Sequence, residues 1–174
     1  MAIALHDMVA LGILAALASI AAFIDLKHLI IPDVINLAVL VSGVGASFLS
    51  TLVDPVSAIS AIVVGAALVG AFQVGFRMYR GYDGLGRGDV KFIAAGGAWT
   101  GIEGLAVALV VSALTGLVYV LARSIADQSF DRTSRIAFAP ALGFGIFVIV
   151  ASQTLTGLPI LQFLLVRFRI LNVE

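Results

Sequence analysis

Two aspartates stand where apolar stretches of the chain begin or end, and a pair of carboxylates can hydrolyse an amide bond. Asp89 follows a glycine-rich turn at 84–88, and Asp25 closes an earlier apolar stretch. Carboxylates that lie close together share a proton. The ionised member can take a proton from water, and the protonated member can donate one to the carbonyl oxygen under attack. Asp25 and Asp89 are therefore the first candidates for chemistry.

The composition shows what kind of element must position these acids. Of the 174 residues, 61% are hydrophobic and 11% are charged, whereas soluble domains have roughly 45–50% apolar and about 25% charged residues. The apolar stretches are continuous rather than alternating, which favours membrane helices over barrel strands. We therefore predict an all-α, polytopic membrane helix bundle.

Apolar stretches long enough to approach the span of a bilayer recur along the whole chain. A spanning helix needs about 20 such residues, so we predict about six transmembrane helices in a single domain, 1–174. Their predicted bounds are 8–24, 34–53, 58–75, 89–101, 105–121 and 137–155. The fourth is short, so it can cross only if Asp89 lies at or inside the interface. The tail, 158–174, is predicted to be an interfacial helix.

The basic residues predict the orientation of the bundle, because cytoplasmic loops carry an excess of Lys and Arg. Asp54 and Glu103 are the charged residues of the opposite loops. The N-terminus is then outside, and both candidate acids face the cytoplasm. Arg167 and Arg169, in the tail, do not fit this pattern. The basic residues of the three predicted cytoplasmic loops are Lys27; Arg77, Arg80, Arg87 and Lys91; and Arg123, Arg132 and Arg135.

The sequence gives no support for a metal or an organic cofactor. It has no cysteine, and its two histidines, His6 and His28, lack the spacing of metal ligands. The formal net charge is zero, and we predict no nucleic-acid partner. The expected surroundings are a lipid bilayer.

Each candidate residue also has a purely structural interpretation. Asp25 can be an interfacial anion beside Lys27, and Asp89 can be a helix N-cap. The glycine-rich turn can be a plain connection rather than a place for close approach of a peptide backbone. Asn36 can bond between helices, and Lys91 can serve only to set the topology.

Two motifs together resemble a known family. Asp25 followed by Ile31-Pro32 and Asn36, and then 86–91 (Gly-Arg-Gly-Asp-Val-Lys), resemble the type IV prepilin peptidases, which are GxGD intramembrane aspartic proteases. Residues 135–141 (Arg-Ile-Ala-Phe-Ala-Pro-Ala) resemble the family's final-span segment, with Ala139 where Gly is usual. The resemblance covers about 8–155.

The resemblance implies an activity and a site. Asp25 and Asp89 would be the catalytic dyad of an aspartic endopeptidase in the inner (cytoplasmic) membrane. Its substrate would be a prepilin or pseudopilin with a short basic leader, a Gly before the cut and a hydrophobic helix after it. We also expect five residues to position the substrate: Pro32, Asn36, Gly86, Gly88 and Lys91.

The absence of cysteine and the early start of the first span suggest the short, peptidase-only kind. Longer members of the family have an additional N-terminal methyltransferase region with zinc-binding cysteines. This chain is more similar to the peptidases of tight-adherence (Flp) pilus systems. Which pilin, pseudopilin or flagellin precursor is cut stays open, as does the oligomeric state.

Two other functions stay open at this point. A small proton-coupled transporter would use the same acids, although transporter sites tend to lie near the midplane between inverted repeats. Here both acids lie toward one end, and the sequence shows no repeat. A non-catalytic subunit of a secretion or pilus assembly complex would use the acids as interface ions.

A shared proton predicts that hydrolysis falls on both sides of a pH optimum. At low pH the second carboxylate gains a proton and no base remains, and at high pH the shared proton leaves and no acid remains. The cleavage rate measured across pH provides the check. A profile that is flat on both limbs would contradict shared-proton chemistry.

Overall fold

The computed structural model describes residues 5–49, 53–126 and 136–171, and within these ranges the regular structure is entirely helical. The all-α prediction is confirmed. In chain order the helices are α1 (Leu5–His28), α2 (Asp33–Ser47), α3 (Pro55–Arg80), α4 (Arg87–Ala126), α5 (Ala139–Thr156) and α6 (Ile160–Leu171).

The helices have the lengths and the surfaces of a membrane bundle. Helices α1, α3, α4 and α5 are long and apolar enough to cross a bilayer, and α2 is a shorter apolar helix. Large apolar side chains such as Ile13, Val63, Leu68 and Val118 lie exposed on the outside, which in water would be costly and in hydrocarbon is not. The chain is therefore a polytopic membrane helix bundle.

Helix α4 reverses direction at Gly101, whose φ of 68° and ψ of 176° are not helical. Positive φ is accessible to glycine because it has no Cβ. The reversal is visible at α3, where a Cβ placed on Gly65 would lie 3.0 Å from Leu105 Cδ2 and 3.7 Å from Ala94 Cα. In a straight helix those two residues would be about 16 Å apart. Helix α4 thus contributes two antiparallel arms, in the places predicted for 89–101 and 105–121.

At the end of the bundle where α4 reverses direction, polar side chains accept hydrogen bonds from backbone N–H groups. Asp54 Oδ1 accepts the N–H groups of Val56 and Ser57 at 2.9 and 3.0 Å and so caps α3. Ser57 Oγ in turn accepts the Ile102 N–H at 3.1 Å, just beyond the reversal in α4. Backbone groups without water need such partners.

The first arm of α4 is the centre of the bundle. Its residues 92–100 are buried on every side, with α2, α3 and α5 packed around them and α1 packed against α5. Trp99 Nε1 donates to the Val39 carbonyl oxygen of α2 at 2.8 Å, so the arm is fixed in rotation as well as in position. Any residue carried at the start of this arm is held at a defined place.

Several predicted bounds were imprecise for a physical reason. Helix α2 ends at Ser47 rather than at 53, and α3 runs to Arg80 rather than to 75. The second span was predicted to run too far because the sequence stays apolar beyond α2, where Val53 of the following turn is buried. The third span was predicted to end too early because polar residues appear before the end of α3. The helix itself ends at Gly81, which has a φ of 79°. Helix α6 lies within the predicted tail helix, and its position at the membrane surface stays a prediction.

Close packing of the central arm predicts a stability effect at Gly97. A Cβ there would lie 2.9 Å from the Ala61 carbonyl carbon. We expect Gly97→Ala to lower the free energy of unfolding by about 1–3 kcal/mol, since backbone cannot move aside cheaply. Thermal unfolding in detergent micelles measures this. The matched control is Gly12→Ala in α1, where a Cβ would meet none of the described residues within 4 Å and the free energy of unfolding should rise by up to about 1 kcal/mol. Equal changes at both sites would contradict the packing argument.

Candidate active site

Asp25 lies in the last turn of α1 and is buried, with 5% of its surface exposed. Its Oδ2 accepts the backbone N–H of Ala139, the first residue of α5, at 2.8 Å. The first N–H groups of a helix have no partner within that helix. Asp25, on α1, therefore supplies a hydrogen-bond acceptor for the first N–H group of α5. The same bond fixes the position of the Asp25 carboxylate.

Asp89 lies in the first turn of α4 and is partly exposed. Its Oδ2 accepts the Gly86 N–H at 3.1 Å, as the third residue of a helix does in a capping box. A Cβ on Gly86 would lie 2.9 Å from that oxygen, so glycine permits the approach. Asp89 is thus the third residue of α4 rather than its N-cap, and this bond holds the carboxylate beside the glycine-rich turn.

The two aspartate-bearing segments are packed against each other. A Cβ on Gly88 would lie 3.2 Å from Ile31 Cβ and 3.4 Å from the Ile31 N and O atoms, so the turn rests directly on the α1–α2 connection. Asp89 follows Gly88 in the chain, and Ile31 lies six residues after Asp25. Two motifs that are far apart in sequence therefore pack against each other.

An ion pair joins the same two segments at the surface. Lys91 Nζ lies 2.7 Å from Asp33 Oδ1, and both side chains are more than half exposed. Such exposed pairs contribute little stability, about 0–1 kcal/mol. The pair places the Lys91 ammonium at the edge of the site, and its role toward a substrate stays a prediction.

Pro32 and Asn36 begin α2 beside this site. Pro32 precedes the helix with φ −61° and ψ 140°, which directs the chain from the extended connection into α2. Asn36 is 5% exposed, and neither its Oδ1 nor its Nδ2 has a hydrogen-bond partner among the described residues. A buried amide without partners is costly, by about 1–3 kcal/mol.

Three helix N-termini meet at this end of the bundle, those of α2, α4 and α5. The N-terminus of a helix carries partial positive charge and favours a nearby anion. The described residues contain no group of three His, Cys, Asp or Glu placed to hold a metal ion. What the site offers is a pair of positioned carboxylates at the ends of helices.

Sequence reasoning missed the part played by Ala139. Its N–H is the hydrogen-bond partner of Asp25, 114 residues earlier. Pro140 carried a usable signal, because proline is frequent in the first turn of a helix and so marks a start whose N–H groups need acceptors. Arg135, at the beginning of the same predicted segment, lies outside the described residues.

Comparisons with known proteins identify the family. Residues 12–121 match the type IV leader peptidase family. Three similar proteins, each named prepilin leader peptidase/N-methyltransferase, come from Dickeya chrysanthemi, Pectobacterium carotovorum and Aeromonas salmonicida. They are 31, 33 and 30% identical over 84, 70 and 69% of this chain. The chain covers 48, 43 and 41% of their lengths, less than half of each. No solved structure matches.

The bond from Asp25 to Ala139 predicts different stabilities for two substitutions. Asp25→Asn keeps an oxygen that can accept the Ala139 N–H, whereas Asp25→Ala leaves that buried N–H without a partner. We expect Asp25→Ala to be less stable than Asp25→Asn by about 1–3 kcal/mol. Thermal unfolding in detergent micelles compares the two. Equal stability would show that the bond does not anchor α5.

Proposed function

We propose, because the chain belongs to the type IV leader peptidase family, that it is an aspartic endopeptidase that removes the leader from prepilin-like precursors. Asp25 and Asp89 are the catalytic pair in this proposal. The observation that supports it most strongly is that Gly88, next to Asp89, packs directly on Ile31 of the connection that follows the Asp25 helix.

The proposed reaction needs only the pair, water and a peptide bond. One carboxylate takes a proton from water as the water oxygen bonds to the carbonyl carbon, and the protonated partner donates to the carbonyl oxygen. The C–N bond then breaks, and the amine nitrogen leaves with a proton returned by the pair. The proton belongs to the pair rather than to either residue. The end of a bundle is suited to this chemistry because water can reach it.

The remaining candidate residues fit roles in holding the peptide. Gly86 and Gly88 leave backbone without side chains next to Asp89, where an extended substrate backbone could lie. The amide of Asn36, which has no partner among the described residues, has the groups to donate to and accept from such a backbone. Pro32 fixes the start of the helix that carries Asn36, and Lys91 stands at the rim.

We propose that the site faces the cytoplasm and that the protein lies in the inner membrane. This is supported by basic residues at the same end of the bundle as the two acids, namely Arg77, Arg80, Arg87 and Lys91. Among prepilin-like precursors, the Flp type is the first to test, since the sequence resembles peptidases of tight-adherence systems.

The proposal predicts that both aspartates are required for cleavage. In proteoliposomes, the wild type should cut a pilin precursor after the Gly that ends its basic leader. Asp25→Asn and Asp89→Asn should each lower the rate by at least about 100-fold, the size of a lost acid–base group. Gel mobility and mass spectrometry of the products identify the cut.

The matched control is Asp83→Asn, which removes an exposed carboxylate at the same end, in an ion pair with Arg77, and should cleave at the wild-type rate. Folding of each variant is checked by thermal unfolding. If well-folded wild type cuts no such precursor, or if either asparagine variant cuts normally, the proposed function is wrong.

A further inference from the structure

A groove runs along the outside of the bundle between α1 and α5. It encloses about 270 Å³, and none of its lining side chains is charged. At its floor the helices nearly touch, since a Cβ on Gly143 would lie 3.2 Å from Ala18 Cβ. The lining residues are Ala15, Ala18, Ser19 and Ala22 of α1, and Pro140, Gly143, Phe144 and Phe147 of α5.

The lining residues follow the spacing of a helix-packing surface. On each helix they recur at intervals of three and four residues, so they form one straight face. On α1 this face consists only of small side chains, which let another backbone come close. From Ala15 to Ala22 it extends about 10 Å, or two helical turns.

One end of the groove lies close to Asp25 along both helices. Ala22 lies one turn before Asp25 on α1. On the other wall, Pro140 follows Ala139, whose N–H is bonded to Asp25 Oδ2. A helix seated along the groove therefore has one end within about one helical turn of Asp25.

We propose that the groove binds the apolar transmembrane helix of the protein substrate, with the scissile bond at the helix end next to Asp25. The inference rests on the proposed function and adds the surface that selects the substrate. An uncharged groove on the outside of a membrane bundle takes its occupant from the hydrocarbon. Continuity with Asp25 favours a peptide as that occupant, because a helix seated there carries its own backbone to the carboxylate. A lipid chain or a second copy of this protein would have no reason to end at that residue.

A bulky side chain in the groove should weaken substrate binding. Ser19 is exposed along it, and Ser19→Phe should raise KM for a precursor with an apolar helix roughly tenfold, as expected when binding contacts are lost. The matched control is Ala16→Phe, an exposed position on α1 outside the groove, which should keep the wild-type KM. Cleavage in proteoliposomes gives both values. Wild-type KM for Ser19→Phe, with cleavage intact, would overturn the groove and leave the proposed function standing.

A cross-linking experiment tests the groove without relying on cleavage. Benzoylphenylalanine replaces Phe144 in the groove or, as the control, Phe72 on α3; both are exposed phenylalanines. Each is combined with Asp89→Asn so that the precursor stays intact. Photolysis should join the substrate helix to position 144 several-fold more than to position 72. Equal yields, or products at 144 containing only lipid or a second copy, would overturn the groove.

The two experiments together separate the two proposals. If the wild type cuts no precursor but position 144 still captures its helix selectively, the proposed function is wrong and the groove is a helix-binding site. If cleavage requires both aspartates but position 144 captures no helix, the function stands and the groove is wrong.

Discussion

The hydrogen bond from the Ala139 N–H to Asp25 is the interaction on which the site depends. The first N–H groups of α5 have no partner within that helix, and Ala139 is buried, while a buried carboxylate needs donors. The Ala139 N–H donates to Asp25 Oδ2 at 2.8 Å, so each group has its hydrogen-bond partner. The bond joins the beginning of the chain to its last long helix, so the same contact stabilises the bundle and fixes one candidate catalytic oxygen.

Asp89 is held by a different arrangement. It begins the arm of α4 that is buried on all sides from 92 to 100, and Trp99 fixes that arm against α2. The reversal at Gly101 keeps the arm short and returns the chain along α3 and α5. Because its helix cannot shift alone, Asp89 has a defined position relative to Asp25 even though each lies on a separate element.

The sequence predicted the elements better than their contacts. Apolar composition placed the helices, and the Asp54-Pro55 turn and the glycine-rich turn were both recognisable from residue type. The end of α2 and the bond to Ala139 were not, since hydropathy records where a side chain prefers to lie and not which backbone group it must satisfy. The sequence also could not show that the Asn36 amide is buried with no hydrogen-bond partner among the described residues, because a polar side chain normally avoids such burial. Such departures are expected at functional sites.

The location of the acids reconciles two opposing requirements. Carboxylates deep in hydrocarbon are costly, yet the proposed reaction cuts a peptide bond next to a membrane helix and uses water. At the end of the bundle, three helix N-termini favour the negative charge, and each acid accepts a backbone N–H. The apolar groove near Asp25, proposed to bind the substrate helix, would supply what this location lacks, a path from the bilayer to the site. A membrane helix can then be presented at its end without the acids entering the hydrocarbon.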